Sequence, residues 1–183
     1  MRMKKNLGFT LIEILIVAAI VVIITPIVIA NQRRGEKEFA LQRAVHKLAQ
    51  DIRMAQEMAM SLKECPQCSG DLSGYGVYID LATTTMYRIY ADDQVTGANG
   101  EIYSAGDTIV EDIQLESGVY INSINNTSLS KVSINFKSPD PEIKIREVAA
   151  DDPMPEIVIE LSLLIGSNSK TITVNTAGLI DID

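Results

Sequence analysis

The first apolar block runs unbroken from Phe9 to Ala30, FTLIEILIVAAIVVIITPIVIA, 22 residues in which Glu13 is the only charge. At about 1.5 Å per residue such a helix reaches roughly 33 Å, enough to cross the hydrocarbon core of a bilayer. Secretory signal peptides have a shorter apolar region, about 7 to 15 residues, followed by a small-residue cleavage site, and neither feature fits. The block therefore reads as a transmembrane helix rather than a buried soluble one. Pro26 removes a backbone donor inside it, which predicts a kink or a loosened turn.

After Ala30 the chain turns polar, and Gly35 is expected to soften the helix. Apolar positions then return at Leu41, Val45, Leu48, Ile52, Ala55, Ala59 and Leu62, in alternating steps of four and three that make one helical stripe. Arg43, Lys47, Asp51, Arg53 and Glu57 fall on the other faces and read as a solvated surface. Small Ala55 and Ala59 suit close packing on the chain's own sheet better than a free coiled coil. A helix from Phe9 to Leu62 would be roughly 80 Å long, half in the membrane and half carrying a domain.

From Gly74 the period changes to two. Tyr75, Val77, Ile79 and Leu81 alternate with smaller or polar residues, and a turn at Ala82–Thr85 leads into Met86–Tyr90, an early hairpin. Further strands are predicted over Thr108–Leu115, Val119–Ile124, Val132–Phe136, Glu156–Leu163 and Lys170–Asn175. Turn signals separate them at residues 97–100, 117–118, 125–126, 138–141, 151–153 and 166–169. Many short strands with such breaks imply antiparallel sheets, so the fold class is α+β. The division is residues 1–8 as a basic leader, 9–30 as a transmembrane helix, 31–63 as an amphipathic stalk helix and 64–183 as a β-rich globular domain.

The composition, 46% hydrophobic and 22% charged, is that of a folded protein. The net charge of −8 is unevenly placed, +4 over residues 1–62 and −12 over the remainder, which argues against a general nucleic-acid binder. One histidine, two cysteines and no tryptophan leave little material for histidine-based catalysis or a multi-ligand zinc site. No phosphate-binding loop or nucleophile elbow occurs. Arg2, Lys4 and Lys5 before the span are matched by Arg33, Arg34 and Lys37 after it, so charge does not choose an orientation.

Cys65-Pro66-Gln67-Cys68 is the one local motif suggestive of an active centre. A redox dithiol belongs on a thioredoxin-like βαβ pattern and a zinc site needs two more ligands, neither of which is found; His46 lies about five turns away and is expected to face solvent. A short disulfide between stalk helix and first strand, formed in an oxidising extracytoplasmic space, is the preferred reading. The acidic pairs Asp92-Asp93, Glu111-Asp112 and Asp151-Asp152 offer oxygen ligands for calcium, but none matches a calcium-loop pattern, and solvated loop acids are expected. No cofactor or metal is expected.

Glu13 asks for an explanation, because a carboxylate inside a bilayer costs about 2.5 to 3.5 kcal/mol. No Lys or Arg lies within a helical turn of it. That leaves a protonated or snorkelling side chain near the helix start, or a partner from another chain.

Lys4-Lys5-Asn6-Leu7-Gly8-Phe9-Thr10-Leu11-Ile12-Glu13 resembles the cleavage and methylation signal of type IV prepilins. The resemblance combines a short basic leader, a Gly-Phe junction, a glutamate four residues after the cut and a long apolar helix. It implies cleavage by a prepilin peptidase between Gly8 and Phe9, methylation of the Phe9 amine, and pairing of Glu13 with the N-terminal amine of a neighbouring subunit. Such a charge pair acts as a registry device more than a source of stability. Residues 48–59, Leu-Ala-Gln-Asp-Ile-Arg-Met-Ala-Gln-Glu-Met-Ala, are similar to the helix opening the globular domain of GspH/FimT-type minor pseudopilins and pilins, although Arg53 is displaced from the usual position. Val132–Phe136 and the strand, glycine turn and strand of Ile172–Ile180 continue that likeness.

The implied protein is a minor pilin or pseudopilin of a type IV pilus or type II secretion system. It would sit in the cytoplasmic membrane as a single-pass protein with its body extracytoplasmic, and then pass into a filament. Its partners would be the prepilin peptidase, other pilins and an inner-membrane assembly platform. Two alternatives stand beside it: a tethered extracytoplasmic binding domain that never polymerises, and a competence-type pilin that contacts DNA. For the second, Lys131, Lys137, Lys144 and Arg146 are the basic candidates, whereas the chain from Glu156 onward holds one Lys and no Arg.

Overall fold

The computed structural model describes residues 10–68, 70–93, 102–125, 130–137, 143–148 and 152–183. Helix α1 covers Leu11–Met60, with Pro26 and Gly35 both inside it. The chain divides into two compact units, residues 1–37 and 38–183.

In the first unit, Leu11–Ile29 has a mean hydropathy of 3.0 and none of it is buried. Its 19 residues span about 28 Å as a helix, close to the thickness of a bilayer core. Leu11 is 83% exposed and Val22 72%, a surface too apolar to be left in water. The Thr25 hydroxyl donates to the Val21 carbonyl at 2.6 Å, one turn back, next to the donor that Pro26 removes.

The second unit opens with the amphipathic part of α1. Leu41, Val45, Leu48, Ile52, Ala55 and Ala59 are buried as the stripe predicts, and Ala40, Ala44 and Ala49 widen it. Leu62 departs from it, being 60% exposed with φ +49°. The helix has already ended: the Lys63 amide donates to the Met58 carbonyl and the Leu62 amide to that of Ala59, the paired bonds of a Schellman cap. Leu62 fills the left-handed position usually given to glycine, and so cannot continue the helical face.

Among the described residues ten strands follow: β1 Gly74–Asp80, β2 Met86–Asp92, β3 Thr108–Gln114, β4 Val119–Ile124, β5 Lys131–Lys137, β6 Ile143–Glu147, β7 Asp152–Met154, β8 Glu156–Leu163, β9 Ser169–Asn175 and β10 Ile180–Ile182. All pairings are antiparallel, in a six-stranded sheet ordered β3-β2-β1-β5-β6-β7 and a four-stranded sheet ordered β10-β9-β8-β4. The layout is α+β and pilin-like, an N-terminal helix packed on antiparallel sheets. Between β1 and β2 a 3-10 turn, Leu81–Thr83, is capped by the Asp80 carboxylate, which accepts from the Ala82 amide.

One core joins α1 to both sheets. Ile52, Val77, Ile89, Ile134, Ile159 and Ile172 are all fully buried in it. Burying each such side chain contributes about 1.5–3 kcal/mol, so this interface, more than helix propensity, holds residues 38–60 helical.

Two strands lie outside the sequence reading. β6 is a five-residue Ile-Lys-Ile-Arg-Glu alternation, and β7 contains Pro153, whose Asp-Pro step signals a turn. Pro153 is tolerated because β7 pairs only with β6 and forms the sheet edge, where a missing N–H leaves no ladder bond broken.

Candidate functional site

At the start of α1, Thr10 and Glu13 satisfy each other. The Thr10 amide donates to Glu13 Oε2 at 3.4 Å, and the Glu13 amide donates to Thr10 Oγ1 at 3.3 Å. This is a capping box: the Thr10 amide finds the Glu13 carboxylate, and the Glu13 amide, which also donates to the Thr10 carbonyl at 3.1 Å, finds the Thr10 hydroxyl. Glu13 therefore has a partner within its own chain, which sequence reasoning overlooked although Thr-x-x-Glu before an apolar run is legible as a cap. Gly8 and Phe9 lie outside the described residues. Thr10 directly follows the Gly8-Phe9 junction, so the Glu13 carboxylate is held at an amide one residue from the position where a cut would create an amine.

Cys65 and Cys68 are joined by a disulfide with Cα atoms 5.3 Å apart, and the Cys68 amide donates to the Cys65 carbonyl at 3.1 Å. The turn follows the helix cap, and both cysteines pack against the core. A cleft of about 500 Å³ lies beside it, lined among others by Ala59, Leu62, Pro66, Leu72 and Tyr75. Tyr75 spans the junction, its hydroxyl donating to the Lys63 carbonyl at 2.8 Å.

His46 is exposed, as expected. Among the described residues no group of three His, Cys, Asp or Glu is placed to hold a metal ion.

Of the acidic pairs, Asp92-Asp93 differs from the solvated loop expected of it, whereas Glu111 and Asp112 are exposed. Asp92 and Asp93 are 2% and 1% exposed. Asp92 accepts from Asn135 Nδ2 at 2.8 Å, and Asp93 accepts from the amide and hydroxyl of Thr108 at 3.1 and 3.0 Å. Burial raises the Asp92 pKa to about 6, helped by the charges of Asp107 and Asp93 and opposed by hydrogen bonds from Ser73 and Asn135. Glu111 and Asp112 lie on β3, where Asp112 Oδ1 receives Arg88 Nε at 2.6 Å. Asp151 lies outside the described residues, and Asp152 opens β7.

Asp51 is a further correction, buried at 8% exposure while Lys47, Arg53 and Glu57 on the same helix are exposed. It accepts from the Tyr87 hydroxyl and, at 3.0 Å, from Lys47 Nζ.

On the outer face of the six-stranded sheet, Tyr78 and Tyr90 pack against Tyr103 with ring centroids 4.3 and 5.2 Å apart. Tyr90 and Ser133 share a hydrogen bond of 2.5 Å, and Asn135 also donates to the Tyr90 oxygen. Of the basic candidates, Lys131 is paired with Asp80 at 3.4 Å, while Lys137, Lys144 and Arg146 each have contacts of their own. Burial opposes charge on Asp80, yet the Ala82 amide, Tyr78 hydroxyl and Lys131 ammonium outweigh it and hold its carboxyl below the usual range.

Comparison with known families places the prokaryotic N-terminal methylation motif over residues 3–25, well under half of the chain. The match supports a type IV pilin-like signal, and with the apolar helix it fits a membrane-anchored pilin. No curated protein matches the chain, and no solved structure does.

Proposed function

We propose that this protein is a minor pilin or pseudopilin, a structural and interaction subunit of a type IV pilus or type II secretion pseudopilus rather than an enzyme. The observation that carries the reading is the methylation motif over residues 3–25, merged with a 19-residue apolar helix whose side chains are all exposed. An exposed apolar helix is stable first among lipids, then among identical helices in a filament, without refolding the domain behind it.

The sequence of events follows. The chain enters the cytoplasmic membrane through Leu11–Ile29 with residues 38–183 outside the cytoplasm, where the Cys65–Cys68 disulfide is stable. Prepilin peptidase cuts after Gly8 and the Phe9 amine is methylated, keeping its positive charge. Glu13 then pairs with the amine of a neighbour as the assembly platform draws subunits from the bilayer, and fixes their axial stagger.

The test is the intact mass of the protein from cells with and without prepilin peptidase. A chain beginning at methylated Phe9 only when the peptidase is present is the expected result. A chain retaining residues 1–8 in both would leave a tethered domain and overturn the filament reading.

A further inference from the structure

The turn between β8 and β9 carries Leu164 and Ile165, 72% and 71% exposed. These are large aliphatic side chains at the tip of a hairpin whose strands are otherwise packed in the core. Their place in the second unit is fixed by two contacts. Asn168 Nδ2 donates to Glu38 Oε1 at 3.1 Å, and the Leu164 amide donates to the Gly118 carbonyl at 2.8 Å. The turn therefore lies at the end of the unit where Glu38 begins it, and the opposite turn, at Gly178, lies beside Gln56.

Glu38 is nine residues beyond Ile29, the last residue of the apolar span. Nine residues reach at most roughly 32 Å even when fully extended. With Leu11–Ile29 in a bilayer, the Leu164-Ile165 tip is tethered within reach of the headgroup layer, and a weak contact becomes intramolecular and favourable. Charge agrees with this occupant. The body from residue 63 onward is strongly acidic, yet residues 161–171 hold no acid and one Lys, and Arg33, Arg34 and Lys37 lie in the tether. Anionic headgroups would repel most of this domain and accept this end. Of the nearby acids, Glu36 lies among the cations of the tether, Glu116 is paired with Arg43 and Glu38 accepts from Asn168.

We infer that the Leu164-Ile165 turn is a second membrane contact, which inserts into the lipid interface and holds the globular domain against the bilayer before the subunit leaves it. This rests on the anchoring role of Leu11–Ile29. The chain contains no tryptophan, so Leu164→Trp and Leu179→Trp each create a single fluorescent reporter. Leu179 is 60% exposed and adjoins Gly178, about 27 Å of helix away from Glu38.

Full-length variants are to be reconstituted in vesicles of phosphatidylcholine and phosphatidylglycerol, with plain or brominated acyl chains. Flotation of both variants with the vesicles checks the anchor independently. The expected result is a blue-shifted emission at position 164 that brominated lipid quenches, with emission at 179 unchanged. Flotation with equal, unquenched emission at both positions would overturn the contact while leaving the anchor. A blue shift at 164 that ignores brominated lipid but grows with protein density would overturn it in favour of a second copy of the chain. Failure to float would overturn anchor and contact together.

Discussion

The hydroxyl of Tyr87 on β2 donates to the carboxylate of Asp51 on α1, a hydrogen bond buried between helix and sheet. Burial, and then this carboxylate, push the Tyr87 pKa up and keep the phenol a donor. Tyr87→Phe would leave Asp51 with Lys47 as its remaining donor in the described contacts. The expected loss is about 1–3 kcal/mol, the cost of a buried acceptor left short of a partner. Denaturant unfolding of full-length protein in detergent measures it, and a double-mutant cycle with Asp51→Asn should return a non-zero coupling.

Asp92 makes stability depend on pH in an uncommon direction for an acid. Its folded pKa is about 6 against 3.8 when unfolded, so between those values the folded chain holds a proton that the unfolded chain has released. Stability must then fall as pH rises from about 4 to about 6 and level off above. Asp92→Asn should flatten that slope and leave the protein about 1–3 kcal/mol more stable at neutral pH. Unfolding midpoints of both proteins across this range decide it; an unchanged slope would remove Asp92 as its source.

Gly76 on β1 is held to its size by the ring of Tyr90. A Cβ at this position would lie 2.5 Å from the Tyr90 ring and hydroxyl, and Tyr90 is fully buried. Gly76 and Tyr90 are direct cross-strand partners, so the ring covers the bare backbone of its neighbour. Gly76→Ala should cost about 1–3 kcal/mol by overpacking, and near-ultraviolet circular dichroism should register the displaced tyrosine.

The cap that Glu13 makes with Thr10 and the amine pairing proposed for it can be separated by substitution. In the capping box a glutamine serves as well as a glutamate, whereas only the carboxylate can pair with an amine. Glu13→Gln should therefore keep membrane insertion and helix content and lose incorporation into filaments, as Glu13→Ala should. Pelleting of sheared filaments, probed for each variant, is the measurement. Normal incorporation of Glu13→Gln would reduce the residue to a cap.

What could be read from the chain beforehand was local and periodic. The stripe from Leu41 to Ala59 and the alternation of β1, β2, β5, β8 and β9 each depend on neighbours within a few residues, and the elements followed. β6 was short enough to hide between turn signals, and Pro153 argued against β7 until its edge position was known. Asp51, Asp92 and Asp93 escape a sequence reading for a different reason. Their partners Tyr87, Asn135 and Thr108 lie 15 to 43 residues away, and no window along the helix or loop contains them. Leu62 continued the apolar spacing but not the helix, because the chain had already turned left-handed there.

The outer strands bear on how copies of this chain can meet. β7 and β10 are three residues each, β7 carries Pro153, β3 presents Glu111 and Asp112 beside two exposed aliphatics, and β4, the fourth edge, has its Ile121 amide taken by the Thr84 carbonyl. Short, proline-bearing or charged rims discourage backbone-to-backbone pairing between molecules. A domain with rims of this kind is poorly suited to growing an amyloid-like ladder, even when crowded at a membrane surface. In the filament proposed for this chain, such rims would direct polymerisation away from sheet extension and toward the exposed apolar helix, which can be withdrawn from solution as long as lipid covers it.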